Sequence, residues 1–80
     1  MIELYQKERC PFCVKVRCKL EELGLDYISH PAIPGTNGHE ELLRQGGKGQ
    51  VPFLVHPEAG VSMYESDDII KFLRENYPAK

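Results

Sequence analysis

Apolar and polar residues alternate from Met1 to Gln6. Ile2 and Leu4 fall on one side and Glu3 and Tyr5 on the other, which predicts a strand. After Lys7–Pro11 the period changes. At 100° per residue, Cys13, Val16, Leu20 and Leu23 lie within about 80° of one another, so they predict a helix with one core-facing stripe. Gly24 is suited to stop it. Leu25 to His30 reads as a second short strand, ended by Pro31, Pro34 and Gly35, and Thr36-Asn37-Gly38 continues the loop. His39 to Gln45 predicts a short helix with Leu42 and Leu43 as its buried pair. Gly46-Gly47-Lys48-Gly49 breaks that helix. It lacks the Gly-Lys-Ser/Thr ending of a phosphate-binding loop and its following helix, so it reads as a flexible connector.

Gln50 to Val55 predicts a strand with a proline near its start, where a missing N–H is tolerated. Residues 56–60 form a turn, and Val61 to Tyr64 pair back as an antiparallel strand because the connection is too short for a crossover. Ser66 is a natural helix N-cap, with Asp67 and Asp68 in the first turn. Ile69, Ile70, Phe72, Leu73 and Tyr77 give the last helix a broad apolar face, and Pro78 ends it. The order is β-α-β-α-β-β-α. A right-handed first crossover makes the first two strands parallel. The expected architecture is α/β: a four-stranded mixed sheet flanked by three helices.

Composition narrows the range of functions. Eighty residues form one domain, 1–80, near the lower size at which a single core suffices. A formal charge of −2 offers no attraction for nucleic acid or an anionic membrane. No apolar run approaches the ~18 residues of a membrane span, and no signal peptide precedes the first strand. Three cysteines, an odd number, argue against a secreted disulfide framework, so a reducing cytoplasm is the default. The histidines are scattered, without the paired Cys/His spacing of a zinc site, so no metal is expected.

Candidate chemistry lies in Cys10-Pro11-Phe12-Cys13. Two cysteines three apart at a strand-to-helix turn can close a small disulfide ring. Cys10 sits at the start of the helix, where unpaired N–H groups and the helix dipole favour a negative charge. Lys7 and Arg9 add positive charge nearby. A thiolate there has a depressed pKa, which makes Cys10 the expected nucleophile. Pro11 suits the first helical position. Cys13, one turn in and facing inward, is the expected resolving thiol. The competing readings are a structural disulfide or half of a zinc site. Cys18 lies on the opposite side of the helix, about 140° from Cys13, and cannot pair with it. It reads as a bystander.

The element order, the Cys10-Pro11-Phe12-Cys13 motif and the Val51-Pro52 pair together resemble the glutaredoxins of the thioredoxin-like fold, over essentially the whole chain. Lys7-x-x-Cys10-Pro11-Phe12-Cys13 is similar to the family's K-x-x-C-P-Y-C, with Phe12 in place of tyrosine. Gln50-Val51-Pro52 is similar to its T-V-P, in which the proline is cis and faces the active cysteine. Ser66-Asp67-Asp68 is similar to its C-D-D. Glu65-Ser66 and the residues after it also resemble the amino-terminal domain of glutathione transferases. Both relatives bind glutathione in the same groove. The transferases carry a second, all-helical domain, which a chain ending at Lys80 lacks, and they have no use for two thiols at this spacing.

The resemblance implies a glutathione-dependent disulfide oxidoreductase, acting as a monomer on disulfide-containing or glutathionylated proteins. The alternative it leaves is a glutathione-binding, transferase-like domain without reductase turnover. Cys10 and Cys13 would carry the exchange. Lys7 would hold the glycine carboxylate, with His39, Arg44 and Lys48 as unranked alternatives. Gln50 and Val51 would offer strand-edge pairing beside Pro52. Ser66 and Asp67 at the last helix, with Glu65, would receive the γ-glutamyl carboxylate and amine. Phe12 would pack on glutathione without the tyrosine hydroxyl. Pro11 after the nucleophile goes with the absence of an iron–sulfur cluster. Without the resemblance, Lys7 reads equally as a solvated lysine, Val51 as core and Ser66-Asp67 as a helix cap.

Overall fold

The computed structural model describes residues 1–78; positions 79 and 80 of the predicted domain lie outside the described residues. Strand β1 (Ile2–Gln6) is central. It pairs in parallel with β2 (Tyr27–Pro31) and antiparallel with β3 (Phe53–His56), which pairs antiparallel with β4 (Val61–Met63). The sheet order is β2-β1-β3-β4. Helices α1 (Pro11–Glu22), α2 (Asn37–Gly46) and α3 (Ser66–Asn76) flank it, and a short 3₁₀ turn, Pro57–Ala59, joins β3 to β4. This is the four-stranded mixed sheet flanked by three helices expected from the element order, and the thioredoxin-like fold that the resemblance implies.

Alternation along the strands divides the core into two layers. Ile2, Leu4 and Leu54 face α1 and α3, packing with Val16, Leu20, Ile69 and Leu73. Tyr5, Phe53 and Val55 face the other way, toward α2, with Ala32 and Leu42. The predicted stripe of α1 holds through Leu20: Cys13, Val16 and Leu20 are fully buried, Leu23 is partly buried at the helix C-cap, and Gly24 takes the left-handed conformation just beyond.

Several predicted boundaries move. Strand β2 continues through Pro31, which pairs with Gln6 on a sheet edge where a missing donor costs nothing. Helix α2 begins at Asn37, two residues before the predicted start, because the Thr36 hydroxyl accepts the His39 N–H at 3.2 Å and caps it. That first turn requires glycine at position 38, where a side chain would strike the Pro31 carbonyl. Leu42 is buried, but Leu43 is 42% exposed, since adjacent helical residues point 100° apart and α2 covers the sheet with one narrow face. Strand β3 starts at Phe53 and runs through His56, leaving Gln50-Val51-Pro52 ahead of the ladder. The N-cap of α3 is Glu65, not Ser66; the chain enters the helix through a left-handed turn at Glu65, which puts Ser66 in the first helical position.

This topology gathers one end of the molecule. The carboxyl end of β1 leads into α1. Because β1 and β3 are antiparallel, with Tyr5 opposite Phe53, the segment before β3 lies at the same end. An ion pair of 2.7 Å between Lys15 and Asp67 brings the start of α3 alongside α1.

Candidate functional site

Cys10 is the N-cap of α1, with φ −71° and ψ 120°, and Pro11 opens the helix. Its thiol is half-buried, and Cys13 is fully buried one turn deeper; both are free thiols. Burial works against an anion on Cys10. The backbone amide and side chain of Cys13, the amide of Phe12 and the charge of Lys7 more than offset it, so the Cys10 thiol titrates below its ordinary range. Cys13 behaves oppositely. Burial pushes it up to about 11, and the neighbouring Cys10 sulfur pushes the same way; the Lys7 backbone and the Arg17 charge oppose this. The two thiols differ in acidity because one meets the open amides of a helix start and the other meets the core.

The loop between β1 and Cys10 is held from behind by Arg17. Its guanidinium donates to the carbonyls of Glu8 (2.8 Å) and Lys7 (3.3 Å) and to the Gln6 side chain. The Cys10 N–H donates to the same Lys7 carbonyl at 3.3 Å. Arg17 thus fixes the loop and places a positive charge near the Cys13 sulfur. Sequence reading missed it; the available signal was a cation one turn beyond Cys13 on the flank of the buried stripe.

Next to Phe12, which stands between the two thiols in sequence, lies a groove of about 580 Å³ that neither Cys10 nor Cys13 lines. Seven of the residues singled out from sequence line it: Phe12, Gln50, Val51, Pro52, Glu65, Ser66 and Asp67. Asp68 lines it as well and was not singled out, although it completes the Ser66-Asp67-Asp68 motif. The Val51–Pro52 bond is cis. One wall is the segment Gln50–Pro52, and the other is the start of α3. There the first-turn amides have no partner within the helix and carry its positive dipole end. Glu65, with φ 72° and ψ 111°, is the one non-glycine residue at positive φ among those described. Such a conformation costs about 1–3 kcal/mol and persists only where its surroundings impose it. Asp67 is held by Lys15, but both side chains are largely exposed, so this pair orients rather than stabilises.

Lys7 is exposed and does not line the groove; its charge acts on Cys10 instead. Nor do the three alternatives line it. Arg44 pairs with Glu41, the Lys48 ammonium sits 5.2 Å from the Tyr64 ring centroid, and the His39 Nδ1 is buried without a partner. Cys18 is exposed on the outer face of α1, as its spacing predicted. Among the described residues, no cluster of three or more His, Cys, Asp or Glu side chains is arranged to hold a metal ion. No described helix is long and apolar enough to cross a membrane.

A groove walled by the segment ahead of β3 and by a helix start, with three acidic side chains (Glu65, Asp67 and Asp68), can take a small molecule bearing both a carboxylate and an amine. A nearby thiol of lowered pKa adds exchange chemistry. The sequence profile described as "Glutathione S-transferase, N-terminal domain" matches residues 4–80. Glutaredoxin 3 of Escherichia coli is 29% identical over 51 residues, which span 64% of this chain and 61% of that protein. Glutathione transferase Omega 3C from Trametes versicolor superposes with a TM-score of 0.83 at 28% identity, over 96% of this chain and 34% of that one. A glutathione transferase from Phanerochaete chrysosporium, in complex with oxidized glutathione, superposes with a TM-score of 0.80 at 33% identity, over 95% and 36% of the two chains.

Proposed function

The chain belongs to the glutathione S-transferase N-terminal-domain family, and from that premise we propose that it is a glutathione-dependent dithiol oxidoreductase that reduces protein disulfides and glutathione mixed disulfides. The observation that carries this reading is the pair of free thiols one turn apart with opposite pKa displacements. Residues 1–80 would act as one domain and as a monomer, in a cytoplasm that keeps both thiols reduced.

Cys10 thiolate attacks one sulfur of a protein disulfide. One protein thiolate leaves, and Cys10 becomes disulfide-linked to the other half. The negative charge on Cys10 is then gone, and with it the contribution of Cys10 that holds Cys13 protonated. Arg17 continues to favour the Cys13 anion. Cys13 loses its proton, attacks the Cys10 sulfur and expels the second protein thiolate, leaving a Cys10–Cys13 disulfide. Two glutathione thiols reduce this pair and leave as oxidised glutathione. On a glutathionylated substrate, Cys10 attacks the glutathione sulfur, releases the protein thiolate and is itself freed by a second glutathione, without Cys13.

In this reading the groove holds glutathione. Val51 offers backbone pairing to its cysteinyl unit, Phe12 packs on it, and the start of α3 with Ser66 receives the γ-glutamyl carboxylate. Glu65 and Asp67 face the amine, and Lys7 serves the glycine end from outside the groove.

A second reading is favoured by the family match and by the solved transferases: a glutathione-binding domain without reductase turnover. Steady-state reduction of a small glutathione mixed disulfide separates the two. Turnover supports the oxidoreductase. Conjugation of an electrophile to glutathione without that turnover supports the transferase-like domain. Within the oxidoreductase reading, Cys13→Ser should abolish reduction of an intramolecular protein disulfide while deglutathionylation stays within about threefold of wild type, since only the first route needs an internal resolving thiol. Equal loss of both activities contradicts the route through Cys10 alone.

A further inference from the structure

The glycine-rich segment after α2 is not a free connector, and the reason is the side chain that precedes Glu65. The Tyr64 hydroxyl donates to the Lys48 carbonyl at 2.8 Å and accepts from the Lys48 N–H at 3.1 Å. One hydroxyl therefore satisfies both backbone groups of a residue that belongs to no strand or helix. The ring packs on Phe53, centroid to centroid 4.5 Å, and the Lys48 ammonium lies over it. The glycines are fitted around this contact. A side chain at Gly46 would collide with the Tyr64 hydroxyl, and Gly47 turns the chain at φ 83° while closing the helix end.

We propose that Tyr64 is a positioning residue: its hydroxyl clamps the Gly46–Gly49 loop and so sets where the Gln50-Val51 wall of the groove stands relative to the α3 wall. The chain runs from Lys48 to Gln50 in two residues, and from Tyr64 to Glu65 in one. The clamp therefore ties the segment leading into one wall to the residue that precedes the other. Backbone pairing from Val51 to a bound peptide is sensitive to displacements of this kind, because a hydrogen bond weakens steeply as its distance and angle leave their optimum. Tyr64 is not among the residues that line the groove. It acts only through the loop. The assignment rests on the glutathione reading given above.

Tyr64→Phe keeps the ring and removes the clamp. With the full chain, the KM for a small glutathione mixed disulfide should rise about tenfold, the scale of losing two neutral hydrogen bonds, with kcat unchanged. The second-order rate of Cys10 with a small aromatic disulfide that lacks glutathione should stay within about twofold, because exchange chemistry at the sulfur is untouched. Gly46→Ala breaks the same contact from the other side and should raise the same KM. The double substitution should cost less than the product of the two single effects, since neighbours sharing one contact are not additive. An unchanged KM in both variants, or equal losses against both disulfides, overturns the assignment while leaving the glutathione reading standing. A wild type that shows no preference for the glutathione disulfide overturns the glutathione reading, and this assignment with it.

Discussion

Cys10→Ser should reduce glutathione-dependent disulfide exchange to the uncatalysed background, a loss of about 10⁴-fold or more, the scale seen when an enzyme's nucleophile is removed. A serine hydroxyl has no anion near neutral pH, and the amides at the start of α1 cannot supply one. The fold should be untouched. Cys10 is only half-buried, serine is nearly its size, and serine is a favoured N-cap where cysteine forms no cap bond. The melting temperature of the variant should therefore equal or slightly exceed that of wild type. Steady-state assay of a glutathione mixed disulfide, beside a thermal melt, reads both. Retention of a tenth of the activity, with an intact melt, would mean that another group performs the exchange.

Leu54→Ala should be the most damaging of the core truncations. Leu54 is fully buried on β3, opposite Leu4 on one side and Met63 on the other, and it packs under α1 and α3. Truncating a leucine in such a place costs about 3–5 kcal/mol, against a total stability of about 5–15 kcal/mol that falls at the low end for so short a chain. In a domain of this size each kcal/mol moves the melting temperature by about 4–8 °C, so a fall of at least ~12 °C is expected by circular dichroism. Leu43→Ala is the contrasting case. Its side chain stands 42% exposed on α2, and the expected change is within about 1 kcal/mol. Equal losses at both positions would contradict the described packing.

The two leucines also show where sequence reading reaches its limit. Periodicity located β1, α1 and the apolar face of α3, and turn residues and caps bounded the other strands and α2. Periodicity also placed Cys13, Val16 and Leu20 on one buried stripe. It placed both Leu42 and Leu43 in the core, whereas a short helix with two adjacent leucines presents only one of them to the sheet. The start of α2 was hidden because Thr36-Asn37-Gly38 has the composition of a turn; what makes it helical is a cap and a close approach to Pro31, both of them tertiary facts. Gln50-Val51-Pro52 looks like the start of a strand, but the ladder begins only at Phe53.

The groove was more legible than the boundaries. Seven of its lining residues were singled out through the resemblance, each within a short local motif. Ser66 was given the role of N-cap from residue preference alone. The cap is Glu65, because backbone conformation, not preference, decided the register. Arg17 and Tyr64 escaped notice for a common reason. Arg17 reaches back nine and ten residues to the Glu8 and Lys7 carbonyls, and Tyr64 reaches sixteen to Lys48. No local pattern marks a side chain whose partners are backbone groups elsewhere in the chain.

The central claim is that the opening of α1 stabilises an anion on Cys10. It is tested most directly by the pH dependence of alkylation of the reduced chain, with the Cys10 peptide followed by mass spectrometry. Only the thiolate reacts, so a lowered pKa moves the rise in rate to lower pH. The expected midpoint for Cys10 lies below the ~8.5 of a free cysteine, with Cys13 unreactive until far higher pH, toward about 11. A Cys10 midpoint at or above that of a free cysteine would contradict the account.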